Sequence, residues 1–304
     1  MRIPVTSNPA PAATPAPPRP AATPAPPRPT ARIEDRASAE VGAPRPVALA
    51  VGWFLLMAVL AIAARYAQSG WGIGGDVVPL VMAAPAVAAA VCRLVVPGWF
   101  PPRTAPARWP GLLGSAGLVA LSVGVFLVVL ASATPGHGWQ PAAAVVPGMV
   151  LGSLAEEVGF RGVLYRAMAY RRPPWAVIPA NGLLFGLCHL QNLDSGPGPL
   201  LLFLGAAVLL DVAMVAAWTG SWTQRVVAAG LLHAGVNLAL AYRGADGPGD
   251  SGALLLATAA AAAVTLAERA VWARARHHRR PGVRARRAGT ATATTGGRRC
   301  RRCG

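Results

Sequence analysis

Residues 154–162 read LAEEVGFRG and place two adjacent carboxylates and a guanidinium inside one of the most apolar regions of the chain. A charged side chain near the centre of a bilayer costs about 2.5–3.5 kcal/mol on insertion scales, so three in one segment are retained only if paired or put to use. On a helix, Glu157 and Arg161 are i,i+4 neighbours in the favourable order, with the acid toward the N-terminus, and form an ion pair. Glu156 is rotated about 100° away and is left without that partner. It is the candidate general base or acid. Two other apolar segments supply the remaining candidates, FGLCH with Phe185 and His189, and HAGVN with His233 and Asn237. Both pairs have i,i+4 spacing, which packs Phe185 beside His189 and projects His233 and Asn237 together into the bundle. A lone intramembrane His is commonly an interhelical hydrogen bonder. Here the only two His of the apolar segments each come with a partner one turn away.

The elements that must position these residues are transmembrane helices. The chain is 54% hydrophobic and 13% charged, too poor in polar residues to clothe a soluble globule of 304 residues. Apolar runs recur at about 47–65, 77–97, 111–133, 141–165, 174–192, 199–219, 225–242 and 253–272, each near the ~20 residues needed to span a bilayer. The expected fold is an all-α polytopic bundle of about eight transmembrane helices over 47–272. Pro179 and Asn181 interrupt the fifth run, and Pro79 and Pro85 bend the second. Arginine alternates between loops: Arg103 and Arg108 follow the second run, Arg166, Arg171 and Arg172 the fourth, Arg225 the sixth and the Arg-rich tail the eighth. The intervening loops carry Asp76, His137, Asp194 and, after the seventh run, Arg243 offset by Asp246 and Asp250. The positive-inside rule then puts both termini in the cytoplasm.

The flanks carry no chemistry of their own. Residues 1–46 contain the tandem nonapeptide PAATPAPPR at 11–19 and 20–28, a Pro/Ala-rich composition expected to be disordered. Residues 273–304 form an Arg-rich tail. The net charge of +17 invites a nucleic-acid reading until it is located, because 11 arginines fall between Arg274 and Arg302. A basic tail beside a membrane meets anionic lipid, and no aromatic or groove-reading motif accompanies it, so no nucleic acid is expected. Cys300 and Cys303 form one CxxC, which lacks the second ligand pair of a structural zinc site.

EEVGFR, FGLCH and HAGVN, in that order on separate runs, resemble the EExxxR, FxxxH and HxxxN motifs of the CAAX-processing and bacteriocin-processing (CPBP) membrane proteases, related to the Ras-converting enzyme. The resemblance covers about residues 141–245, and TGSW at 219–222 also fits it. Asp211 and both tails lie outside the pattern. The resemblance implies an eight-helix bundle with a cavity open to the cytosol. In it, Glu156 and His189 activate a water that attacks a peptide carbonyl, His233 and Asn237 stabilise the oxyanion, and Glu157 and Arg161 support the site. Two polar side chains one turn apart suit one developing charge. Zinc is the alternative, with Glu156, His189 and His233 as ligands, because two His and a carboxylate make up many catalytic sites. That assignment leaves the base role to Glu157, which its spacing commits to Arg161, and the helical HExxH signature is absent. A metal-free, glutamic-type endopeptidase without a cofactor is therefore favoured, acting on membrane-associated peptides or proteins. The Ala/Gly/Pro/Arg-rich composition points to a bacterial plasma membrane rather than to prenylated eukaryotic substrates. A bacteriocin self-immunity or scaffold protein would keep the same motifs. A proton-coupled transporter would show internal repeats, and none is seen.

Overall fold

Nine α-helices follow one another among the residues that the computed structural model describes, namely 46–72, 80–97, 106–134, 145–169, 172–244 and 250–278. They are α1 Pro46–Gly70, α2 Ala84–Val95, α3 Trp109–Ala133, α4 Val146–Gly159, α5 Tyr165–Ala169, α6 Pro174–Leu187, α7 Pro197–Ala217, α8 Trp222–Arg243 and α9 Ser251–His278. No strand occurs among the described residues. Each of the eight apolar runs contains helix among its described residues. Five of the helices, α1, α3, α7, α8 and α9, are long and apolar enough to cross a membrane, while Leu80–Val95 and Pro174–Leu187 are shorter apolar segments. The exterior is apolar as lipid requires: Val47, Val51, Leu55, Val59, Ile62 and Tyr66, spaced one helical turn apart on α1, are all more than half exposed.

Two apolar clusters hold the bundle. Trp53 of α1, Ala88 of α2, Phe160 and Phe185 of α6 form one, and Phe126 of α3, Met214 of α7, Leu232 of α8 and Ala257 of α9 belong to the other. Glycines set the closest approaches. A Cβ at Gly182 would lie 2.6 Å from the Cα of Val208, so α6 and α7 touch backbone to backbone, and at Gly230 it would lie 2.5 Å from Leu154 where α8 meets α4.

Several local expectations change. The second run opens as a 3-10 turn, Leu80–Ala83, and Pro85 stands in the first turn of α2, where its missing N–H costs no helical bond, so it does not bend the helix there. Pro79 lies outside the described residues. Pro179 is inside α6, which continues through it but stops at Leu187, short of the expected 192. The fourth run is not one regular helix: a π turn, Phe160–Leu164, separates α4 from α5. The first residues of the C-terminal tail, 273–278, continue α9. Residue 46, the last of the N-terminal tail as expected, opens α1, whereas residues 1–45, the rest of the C-terminal tail and its CRRC lie outside the described residues.

Candidate active site

The fourth run brings the acids into the bundle on α4. Glu157 is fully buried, whereas Glu156 retains 9% exposure, and it is Glu156 that lines a cavity of about 280 Å3. The π turn begins three residues after Glu157, and such turns inside helices are frequent at functional sites. Gly159 immediately before it admits Trp53 and Pro85, because a Cβ there would meet their atoms at 2.5–2.8 Å. Arg161, 1% exposed, lies within the π turn and donates from Nη1 to Glu157 Oε1 at 2.8 Å.

Arg161 has a second partner that local spacing does not reveal. Its Nε donates to Asp211 Oδ1 on α7 at 2.9 Å, and Asp211 Oδ2 accepts from Asn181 Nδ2 on α6 at 3.2 Å. All four side chains are at most 1% exposed, so the guanidinium meets two carboxylates away from bulk solvent. Three helices are thereby tied beneath the cavity. Asn181, which reads in sequence as a defect of the fifth run, is one of the ties.

His233 on α8 faces both acids. Its Nδ1 lies 2.9 Å from Glu157 Oε1, and its Nε2 lies 3.5 Å from Glu156 Oε2. A carboxylate bound to Arg161 is an acceptor, so Nδ1 carries a proton toward it, and Nε2 faces Glu156. His233 and Asn237 share a helix face, yet they are anchored separately. Asn237 donates from Nδ2 to Ser153 Oγ at 3.1 Å, one turn before Glu157 on α4. Ser153 is a site residue that the motifs do not contain. Its signal is a fully buried hydroxyl within a turn of Glu156 and Glu157.

His189 lies just beyond α6, in the cap of the 3-10 turn Leu190–Ser195, with Nδ1 3.2 Å from the carbonyl of Phe185. Phe185 is the hub between the imidazoles, its centroid 5.0 Å from that of His189 and 5.4 Å from that of His233, with the Arg161 guanidinium over its ring at 5.4 Å. Glu156, His189, His233 and Asn237 all line the cavity. Among the described residues no group of three or more His, Cys, Asp or Glu is gathered closely enough to hold a metal ion, so the set Glu156, His189 and His233 does not form a ready ligand cage as it stands. TGSW serves local structure: Gly220 takes φ +65°, and Ser221 caps α8 in a reciprocal capping box with Gln224.

Comparison with curated proteins gives no match. The family model of the type II CAAX prenyl endopeptidases, Rce1-like, matches residues 138–239, a span that contains Glu156, Glu157, Arg161, His189, His233 and Asn237. Over residues 138–239 the chain is therefore similar to the Rce1-like type II CAAX prenyl endopeptidases.

Proposed function

We propose that the chain is an intramembrane endopeptidase that hydrolyses peptide bonds of membrane-associated substrates with a water activated by Glu156 and His189. The observation that carries this reading is the division between the two adjacent acids. Glu157 is committed to Arg161 and His233 in the interior, while Glu156 faces a cavity shared with His189, His233 and Asn237. Glu156 takes a proton from the water as its oxygen bonds to the scissile carbonyl carbon. The carbonyl oxygen becomes an oxyanion, which accepts hydrogen bonds from Asn237 Nδ2 and from the protonated imidazole of His233. On collapse the C–N bond breaks, and Glu156 returns the proton to the leaving amine. Glu157 and Arg161 hold His233 and α4 in place.

This reading needs no cofactor, and zinc held by Glu156, His189 and His233 is the competing arrangement. Incubating purified protein with a peptide library separates the endopeptidase from an immunity, scaffold or transport protein, with products expected from wild type and at most about a hundredth as much from Glu156→Gln. Metal analysis of the active protein and turnover after exhaustive chelation decide between the two chemistries. Undiminished turnover without bound metal is expected. Stoichiometric zinc, with activity lost to chelator and restored by zinc, would overturn the metal-free route while leaving the site residues in place. In this proposal all eight apolar segments cross a bacterial plasma membrane, both termini are cytoplasmic, and the Arg-rich tail meets anionic lipid.

A further inference from the structure

We infer that the cavity is entered from the extracytoplasmic face of the membrane, and that its substrate is a polypeptide segment presented on that side. The helix ends fall into two groups. At one end, Leu80 N donates to Gln68 Oε1 at 3.2 Å, joining the end of α1 to the start of the α2 segment, and Arg243 at the end of α8 donates to the Thr134 carbonyl after α3. At the other end, Ser115 near the start of α3 donates to the Ala217 carbonyl at 2.6 Å, Ala107 N donates to Gln224 Oε1 at 2.9 Å, and Arg269 of α9 bonds the carbonyls of Ala216 and Trp218.

The cavity belongs to the first end. Its walls include Met82 at the start of the α2 segment, Met149 in the first turn of α4, His189 after α6, Ala241 in the last turn of α8, and Asp250 and Ser251 where α9 begins. No residue of the second end lines it. On that side lie the buried side chains of Glu157, Arg161 and Asp211.

Charge distinguishes the same two ends. Arg93, Arg108, Arg166, Arg172, Arg225, Arg269 and Arg274 stand at the second end together with Glu268, and in sequence Arg103 falls between α2 and α3 while the Arg-rich tail follows α9. At the cavity end the described charges are Arg65, Arg243, Asp194 and Asp250, and the connecting segments add Asp76 and Asp246. The positive-inside rule puts the Arg-rich end in the cytoplasm, which leaves the cavity on the opposite face. Cytoplasmic Arg loops and a cavity open to the cytosol are both expectations from sequence, and this geometry does not allow them together. Speaking of a substrate rests on the endopeptidase reading, whereas the direction of access does not.

The test is labelling of single cysteines by a membrane-impermeant maleimide, in a chain whose Cys92, Cys188, Cys300 and Cys303 are replaced by Ser. Leu193→Cys, half exposed, and Trp175→Cys, 78% exposed, mark the cavity end and the Arg-rich end, and Ala241→Cys and Asp250→Cys report from the cavity wall. In intact cells Leu193→Cys and both cavity variants are expected to react, and Trp175→Cys only after permeabilisation. One folded cavity variant suffices. The inference is overturned if the cavity variants react only after permeabilisation, or if they react from neither side while Leu193→Cys is labelled. Because labelling requires no turnover, its result is independent of whether Glu156→Gln abolishes proteolysis.

Discussion

The two neighbouring glutamates differ in what each leaves behind when its charge is removed. Glu156 has His233 Nε2 as a polar neighbour at 3.5 Å and lines the cavity, so Glu156→Gln keeps the shape of the site. Turnover should fall by about 10²–10⁴-fold, the usual contribution of a positioned acid–base group, with folded yield unchanged. Glu157→Gln removes the charge shared by Arg161 and His233 away from bulk solvent. Asp211 still holds Arg161 Nε, so the expected cost is about 3 kcal/mol, the lower part of the range for breaking a buried pair. Thermal unfolding in detergent measures it. Should Glu157→Gln unfold as wild type does while Glu156→Gln is the variant that loses stability, the two roles are exchanged.

Between elements, the site depends on how closely the helices approach. Asn181 reaches Asp211 across the α6–α7 contact at 3.2 Å, and that contact is set by Gly182 against Val208. Gly182→Ala puts a methyl 2.6 Å from a backbone Cα, which no rotamer change relieves, so the helices must separate. Overpacking of this kind costs about 1–3 kcal/mol, and it should lower both the melting temperature and turnover because Asp211 moves away from Arg161. Gly117→Ala in α3 is the control, since nothing lies within 4 Å of its added Cβ. It should be neutral or slightly stabilising through reduced backbone freedom. Equal melting points for the two variants would show that the α6–α7 contact is not the limiting one.

For the whole molecule, the proposed topology makes a prediction at three points along the chain. Reporter fusions after Arg108, Arg172 and the C-terminus should all report cytoplasm, because each follows an even-numbered apolar run rich in arginine. A C-terminal fusion on the other face means that one run does not cross. The first suspect is the fifth, α6, whose helix of 14 residues is shorter than the hydrocarbon core. His189 stands where that helix stops, so a short α6 places an imidazole at the end of the helix rather than on its side.

By itself the sequence determined whatever depends on period and near neighbours. The apolar runs mark the helices, i,i+4 spacing joins Glu157 to Arg161, and the same spacing brings Phe185 against His189. Three motifs in order carry the resemblance to the CAAX-processing membrane proteases, and the matching family model spans the same residues. Tertiary structure alone decided which side chains meet across helices. Arg161 to Asp211, His233 to Glu157 and Asn237 to Ser153 span 50, 76 and 84 residues, and helical periodicity says nothing about which faces are opposed. The π turn was hidden for a related reason: it lies where Trp53, Pro85 and Trp222 close on Gly159 and Gly162, contacts made by other helices. The end of the bundle at which the cavity lies was decided the same way. A motif records the order of its residues along the chain, whereas depth and direction in a membrane follow from how the helices stack.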